Sequence, residues 1–530
     1  MPYSPAPIMS ARNWAPDGQD HRNQAAAAIS HQGLLVDGPD VGVSGDLPSS
    51  VPDIDTYRLL GFSDIPPVLR RAWPCAGAEW GVPTPLDELP VDEVEAIQTH
   101  PIHQEALRTV CRLIQQLRGC VSYSDLYDFQ QELLGEFLTV DEHRAGCSRV
   151  VKRLTRSRSL PADAVELRGV GDCRDLRSWL LERDVCERVS RQLRCVGDAL
   201  AWKAFDYQRN FILVLSRNES AGPLAGKDGL VAEREFLTTM WRDGGQFAVM
   251  HDLTSCLRIG DASVFTPDGV RLEEVKTNVK RRTAAQERRR LAAAEALRSG
   301  APMPGGVGQV LVRIDVPYKT HLGTLREVLD LAWERGMQHV KISGGRALVA
   351  GNLFSAPQRW SADEFARRFR AALESTKRRA GVVEPDQITL KSVDQVGRSP
   401  VTPPWAIYPF SPQMCASLIA DAVFFYVSMS STQILNALAN RGIAGQWLQD
   451  LDENTDRASP LLQLDKVTSC RNGAVEVRRV SMNFSELNRL LMELVDLDTW
   501  AQHVEILLDR TELDGVPPWP YFIYERDTWA

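Results

Sequence analysis

Lysine is absent from the first 98 residues of this 530-residue chain, where fourteen Asp and Glu face only five Arg. So acidic a leader is excluded as a basic arm that coats nucleic acid. Its Pro, Gly and Ser content with weak periodicity predicts a partly irregular region over 1–98. Close cysteine pairs are also missing. The ten cysteines, at 75, 111, 120, 147, 173, 186, 195, 256, 415 and 470, stand singly, which excludes a zinc knuckle and a dense disulfide framework. The first 30 residues carry no basic flank followed by an apolar run, so the expectation is a cytoplasmic protein with reduced thiols. No apolar run reaches the ~20 residues of a bilayer span. The longest tempting one, Leu418–Val427, is interrupted by Asp421 and reads as a core helix or strand, and no membrane partner is expected. A phosphate-binding loop is missing as well, because Gly222, Gly226 and Lys227 lack the spaced Gly-Lys-Ser/Thr signature.

What remains has the 44% apolar and 25% charged residues of ordinary globular chains, in a length that calls for several domains. The net charge of -8 hides a local reversal: residues 276–290 carry seven Lys and Arg against the single acid Glu287. A polyanion site on an otherwise acidic protein has this distribution.

Periodicity predicts an α-helical domain over 99–206, with helices near 103–118, 123–137, 142–155, 173–183 and 184–206. Residues 207–351 read as an α/β domain. Its elements are a helix at 227–240, strands at 246–251 and 257–265, a turn at Pro267-Asp268-Gly269, a strand at 270–277 and a helix at 282–298. A strand at Gln309–Val316, a helix at Leu322–Arg335 and a hairpin over Val340–Leu348 follow. Helices on both sides of one mixed sheet are the expected product. The run Asn210–Leu215 fits a strand or a helix end. Residues 352–530 are expected to be mainly helical, near 361–378, 411–440 and 485–510, with a regulatory or assembly role.

Side chains alternate along a strand, so Glu274 and Lys276 share a face while Val275 points away. The turn returns this strand beside the one bearing Asp261, so two carboxylates and an ammonium converge. On an ordinary sheet edge they make a surface salt bridge. Phosphodiester cleavage gives the same trio a use: carboxylates hold a hard cation, and a lysine orients water or offsets charge. The preceding helix adds Glu233, on the face of Phe236, Leu237 and Met240, in preference to Glu235.

This order of elements, with Gly260-Asp261 and Glu274-Val275-Lys276, resembles the PD-(D/E)XK nuclease superfamily over roughly residues 227–315. The resemblance implies a restriction-endonuclease-like core in an α/β fold. It also implies metal ligation by Asp261, Glu274 and the carbonyl of Val275, water activation by Lys276, and an auxiliary acid at Glu233. Gly260 stands where the superfamily often has Pro. Asp268 imitates the Pro-Asp pair but lies in the turn, and Glu273 lies on the wrong face.

Lys280, Arg281, Arg282, Gln286, Arg288, Arg289 and Arg290 follow the acidic strand and are candidates to hold phosphates without reading sequence. Arg149, Lys152, Arg153, Arg156 and Arg158 form a second basic cluster. His251 and His321 are expected to be structural. The implied activity is a Mg2+-dependent endonuclease, with Mn2+ as substitute and DNA as substrate. Its large flanking regions resemble prokaryotic restriction and anti-phage systems, where a homo-oligomer or a defence-system partner protein gates cleavage. A DNA-repair nuclease, a toxin-like sensor and a non-catalytic nucleic-acid-binding or scaffold subunit remain alternatives.

Overall fold

The computed structural model describes residues 91–158, 176–216, 222, 224–227, 229–275, 284–299, 310–353, 356, 359–383, 386–394, 402–448, 461–469, 475–482, 484–510 and 518–524. The leader before 91 thus lies outside the described residues.

The helical region begins with α1 (Val91–Gln98), α2 (Pro101–Gly119) and α3 (Tyr123–Arg158), followed by α4 (Leu176–Ala204) and α5 (Arg209–Leu215). Helix α3 spans the two helices expected at 123–137 and 142–155, because nothing between Gly135 and Glu142 breaks it. Its start is set by a reciprocal cap. Ser122 Oγ accepts from the Asp125 amide at 3.1 Å, and Asp125 Oδ2 accepts from the Ser122 amide at 2.9 Å. The expected pair 173–183 and 184–206 likewise forms one helix, α4. Asn210–Leu215 is the helical alternative, inside α5.

Next come α6 (Leu230–Gly244), β1 (Ala248–Met250), a 3-10 turn (His251–Leu253), β2 (Ala262–Thr266), β3 (Gly269–Glu273) and α7 (Ala284–Ser299). Strands β1, β2 and β3 form an antiparallel meander in that order. Then follow β4 (Val310–Tyr318), α8 (Leu322–Arg335), β5 (Met337–Ile342), β6 (Arg346–Asn352), α9 (Ala362–Ala380), β7 (Gln387–Lys391), α10 (Pro412–Ile419) and β8 (Val423–Ser430). The chain continues with α11 (Ser431–Ala439), β9 (Ile443–Trp447), β10 (Leu462–Ser469), β11 (Val475–Met482), α12 (Phe484–Met492), α13 (Leu497–Arg510) and β12 (Pro518–Tyr524). The architecture is mixed α/β, with helices flanking small, mostly antiparallel sheets.

Two expectations are corrected. Among the described residues one mixed sheet does not run through 246–316: β4 pairs in parallel with β12, apart from β1–β3. The physical reason lies at the free edge of β1. Buried Gln130 of α3 donates to the Ala248 carbonyl at 2.8 Å and accepts from the Met250 amide at 2.9 Å, so its amide stands in for a neighbouring strand. The expected helix at 411–440 is also broken. Asp421 takes φ 57, and the aromatic and β-branched run from Val423 enters β8 instead. The sheet β5-β6-β8-β7 therefore joins strands from both sides of residue 351, and the C-terminal region holds many strands beside its helices.

One apolar cluster runs from Val94 through the β1–β3 meander to Leu508. Polar ties cross the same boundaries. Arg118 at the end of α2 donates to the carbonyls of Phe410 (2.6 Å) and Tyr408 (2.7 Å). Arg209 of α5 and Glu493, both fully buried, pair at 2.7 Å. Helix α4 meets the 3-10 turn so closely that a Cβ at Gly197 would lie 1.9 Å from the Leu253 carbonyl oxygen, so only glycine fits there. The next residue, Asp198, accepts from the amides of Ser255 (2.6 Å) and Cys256 (2.9 Å), fixing the loop that leads into β2. No described helix is long and apolar enough to cross a membrane.

Candidate functional site

The β2–β3 ladder ends at the pair Ala262 and Glu273, and Asp261 and Glu274 are the residues just past that end on each strand. The Asp261 amide donates to the Glu273 carbonyl at 2.8 Å, its carbonyl accepts from the His251 amide at 3.0 Å, and its Oδ2 accepts from the Val275 amide at 2.7 Å. Asp261 is thereby held from both neighbouring strands. Gly260 has φ +83, and a Cβ there would stand 2.8 Å from the Glu273 carbonyl oxygen. Proline, fixed near φ -65°, cannot occupy this position. The departure from a Pro-Asp pair is a backbone requirement of the tight entry into β2.

His251 is buried and orders that entry. A carbonyl only accepts, so Nδ1 carries the proton given to Gly260 O (2.9 Å), and Nε2 accepts from Ser263 Oγ (2.8 Å). Burial lowers its pKa to about 4, which the bond to Gly260 opposes and Arg258 assists. It is a neutral structural histidine, as the sequence led one to expect. His321 lies elsewhere, 3.4 Å from Asp496.

Glu233 is buried on α6, whereas Glu235 is exposed. Its Oε1 meets Lys227 Nζ at 2.5 Å, and its Oε2 is buried with no hydrogen-bond partner among the described residues. Lys227 also pairs with Asp252. Burial raises the Glu233 carboxyl above its usual range. Lys227 opposes that shift, and the charges of Asp252 and Asp261 add to it. Glu233, Asp252 and Asp261 are thus one electrostatic group with Lys227 as cation. Burial works against the Lys227 charge, but Asp252 and Glu233 outweigh it and hold the ammonium above its ordinary value. Asp141 of α3 accepts from the amides of Leu224 (2.6 Å) and Ala225 (2.8 Å), anchoring the loop that delivers Lys227.

Lys227 and Asp252 were not foreseen as parts of this site. No short motif marks them: Lys227 precedes α6 by three residues, Asp252 sits in the 3-10 turn, and only the packing of α3 and α6 on the meander joins them. Asp268 is exposed in the hairpin turn, and Glu273 pairs with Arg271 at 2.5 Å. Lys276, Lys280, Arg281 and Arg282 lie outside the described residues. On α7, Arg288 is exposed, Gln286 and Arg289 are half-buried, and Arg289 Nε reaches the Ala285 carbonyl at 3.3 Å. Arg290 is spent on structure: it donates to the Leu272 carbonyl at 2.5 Å and pairs with Glu287 at 2.7 Å, tying α7 to β3.

Every donor in this group is an oxygen, which suits a hard divalent cation such as Mg2+. The buried, partnerless Oε2 of Glu233 and the crowding of Glu233, Asp252 and Asp261 are features that such a cation relieves.

A second donor cluster lies in the helical region. One ligand atom each from His143, Cys147 and Glu182 falls within 4.8 Å of the others, an arrangement that could hold a metal ion. No protein-family profile, curated protein or solved structure matches the chain.

Proposed function

We propose that the chain is a metal-dependent nuclease of the PD-(D/E)XK kind, a restriction-endonuclease-like core acting on DNA from the β2–β3 hairpin. The observation that carries this reading is the bond from the Val275 amide, next to Glu274, to Asp261 Oδ2 at 2.7 Å, with the partnerless carboxylate oxygen of Glu233 buried in the same electrostatic group as Asp261. The order helix, three antiparallel strands, helix and strand from α6 to β4 supports it. Asp261 and Glu274, with the carbonyl of Val275, would hold Mg2+ (or Mn2+), and Glu233 would complete the acidic wall. When bound, that cation supplies charge neutralisation for the non-bridging phosphate oxygens. The protein's own residues do the rest. The Val275 amide keeps Asp261 aimed, His251 fixes the turn before it, and Lys227 pairs with both Glu233 and Asp252. Lys276, two residues beyond Glu274 in the sequence, would orient the attacking water, while Arg288 and Arg289 would hold the phosphate backbone.

The experiment is cleavage of linear duplex, circular duplex and single-stranded DNA and of RNA by the purified full chain, with Mg2+, Mn2+ or chelator. Metal-dependent cleavage of DNA is expected. No cleavage of any substrate would end the enzymatic reading. Long flanking regions fit a gated nuclease, and a role in anti-phage or restriction defence predicts fewer plaques on cells carrying the wild-type gene with its neighbours than on cells carrying Glu274→Ala. Equal plaque numbers across diverse phages would remove that role and leave DNA repair.

A second reading has its own observation. Lys227 already neutralises Glu233 and Asp252, and Arg290 is engaged within the fold, as in a non-catalytic nucleic-acid-binding or scaffold subunit. DNA binding with an intact salt dependence but no cleavage with any metal would favour it.

A further inference from the structure

His143 and Cys147 are one turn apart on α3, and i,i+4 spacing puts both side chains on one helix face. Glu182 comes from α4, the helix packed along it. His143 Nε2 lies 2.5 Å from Glu182 Oε1, and the ligand atoms of all three residues lie within 4.8 Å of one another. The simplest account of such a trio is an ion pair beside a buried thiol. Three observations point past it. The donors are a nitrogen, a sulfur and an oxygen, the mixed set that a borderline-soft cation takes and that Mg2+ or Ca2+ does not. Bond lengths of about 2.0–2.3 Å to a tetrahedral ion place ligand atoms roughly 3–4 Å apart, so this cluster needs only side-chain adjustments to close on one. Finally, His143 and Cys147 line a cavity of about 540 Å3, together with Arg149, Arg153 and Trp179, which leaves room for a further ligand and a route of entry.

We propose that His143, Cys147 and Glu182 form a three-ligand zinc site that clips α3 to α4 and keeps its fourth coordination position open toward the cavity lined by Arg149, Arg153 and Trp179. The site is separate from the acidic group on the hairpin. It carries a thiolate and an imidazole where the other carries only oxygen donors, so the two select different ions. Cys186, one turn beyond Glu182 and buried, is not one of the three clustered donors and serves as the control thiol.

The test uses the full chain. Zinc would be counted by elemental analysis after dialysis, and its affinity read by competition with a chromophoric chelator. Co2+ would then be substituted to read thiolate ligation by absorption. The expected results are one zinc per chain, a thiolate-to-cobalt band, loss of that band in Cys147→Ser and its retention in Cys186→Ser. His143→Ala should weaken zinc by about 100-fold or more, with unchanged circular dichroism. The His143 side chain is 46% exposed and tolerates truncation, so this variant decides the matter even if the buried Cys147→Ser perturbs folding. Zinc well below one equivalent, a cobalt band that survives Cys147→Ser, or unchanged affinity in His143→Ala would each overturn the site.

Discussion

The two donor clusters are built from different elements, and the difference decides their chemistry. On the β2–β3 hairpin, backbone hydrogen bonds position the donors. Asp261 is fixed by the Glu273 carbonyl, the His251 amide and the Val275 amide, so its carboxylate direction follows from strand register. On α3 and α4 the donors His143, Cys147 and Glu182 rest on helix faces, and side-chain packing alone brings them within 4.8 Å. The first group is all oxygen and already holds an internal cation, Lys227. The second mixes nitrogen, sulfur and oxygen and opens on a cavity. A hard ion and water suit the former, a softer ion the latter.

The sharpest way to break this contrast is to disable the hairpin chemistry while leaving the helix pair intact. Lys276→Ala should reduce DNA turnover by about 10²-fold or more, equivalent to about 2.7 kcal/mol in the barrier, with DNA affinity nearly unchanged. Single-turnover cleavage and filter binding on one preparation check both halves. Full turnover would reduce Lys276 to a salt-bridge partner.

The hairpin that brings Asp261 near Glu274 was legible because one turn motif carries it: the turn at Pro267-Asp268-Gly269 returns β3 beside β2, while Lys276 lies outside the described residues. Glu233 was legible for a similar reason, its helix having one apolar face. Lys227, Asp252 and the helix-pair cluster were not, since each depends on contacts between distant segments. A signal for the latter did exist: His143 and Cys147 share an i,i+4 spacing on one expected helix, and Glu182 and Cys186 repeat it across the expected boundary at 183/184 that α4 runs through. Searching for close cysteine pairs passes over it. The single mixed sheet was misjudged for a related reason, because strand patterns do not reveal that a glutamine from another segment caps the edge of β1. The run from Val423 misleads in a third way, since a short continuous apolar stretch suits a buried helix and a buried strand equally.

The junction between the regions gives the next test. Gln130, on the helix that carries His143 and Cys147, supplies both hydrogen bonds at the outer edge of β1. Gln130→Leu leaves a buried amide and carbonyl orphaned and should cost about 2 kcal/mol, read as a lower denaturant midpoint at constant slope. An unchanged midpoint would show that the helix does not support the hairpin.

Each region also buries one histidine, and the pair should respond alike to acid. Burial lowers the pKa of His103, on α2, to about 4, with Arg188 and His100 adding to the effect, and lowers that of His251 to about 4 as well. A base whose folded pKa lies below its unfolded value of 6.5 contributes stability that is complete at higher pH and is lost as pH falls from 6.5 toward 4. Each should cost about 2 kcal/mol between pH 7 and pH 5, in denaturation measured at both values. His103→Gln and His251→Gln should each flatten the dependence, and a slope that neither variant changes would contradict both assignments.

The smallest effect is expected on α7. Arg288→Gln with Arg289→Gln should weaken DNA binding and lower the salt slope by about one per lost phosphate contact. Arg290→Gln should act on stability instead, because its guanidinium ties α7 to Leu272. Equal effects of all three on salt dependence would place Arg290 on the nucleic acid.

The central claim, that cleavage chemistry resides in the hairpin carboxylates and not in the helix-pair cluster, meets its most direct test in one side-by-side assay. Wild type, Asp261→Asn, Glu274→Gln and His143→Ala would be compared for Mg2+-dependent DNA cleavage at matched, folded concentrations. The account predicts that both carboxylate variants lose at least about 10²-fold in rate while His143→Ala keeps cleaving. Cleavage that survives in Asp261→Asn and Glu274→Gln but disappears in His143→Ala would contradict it.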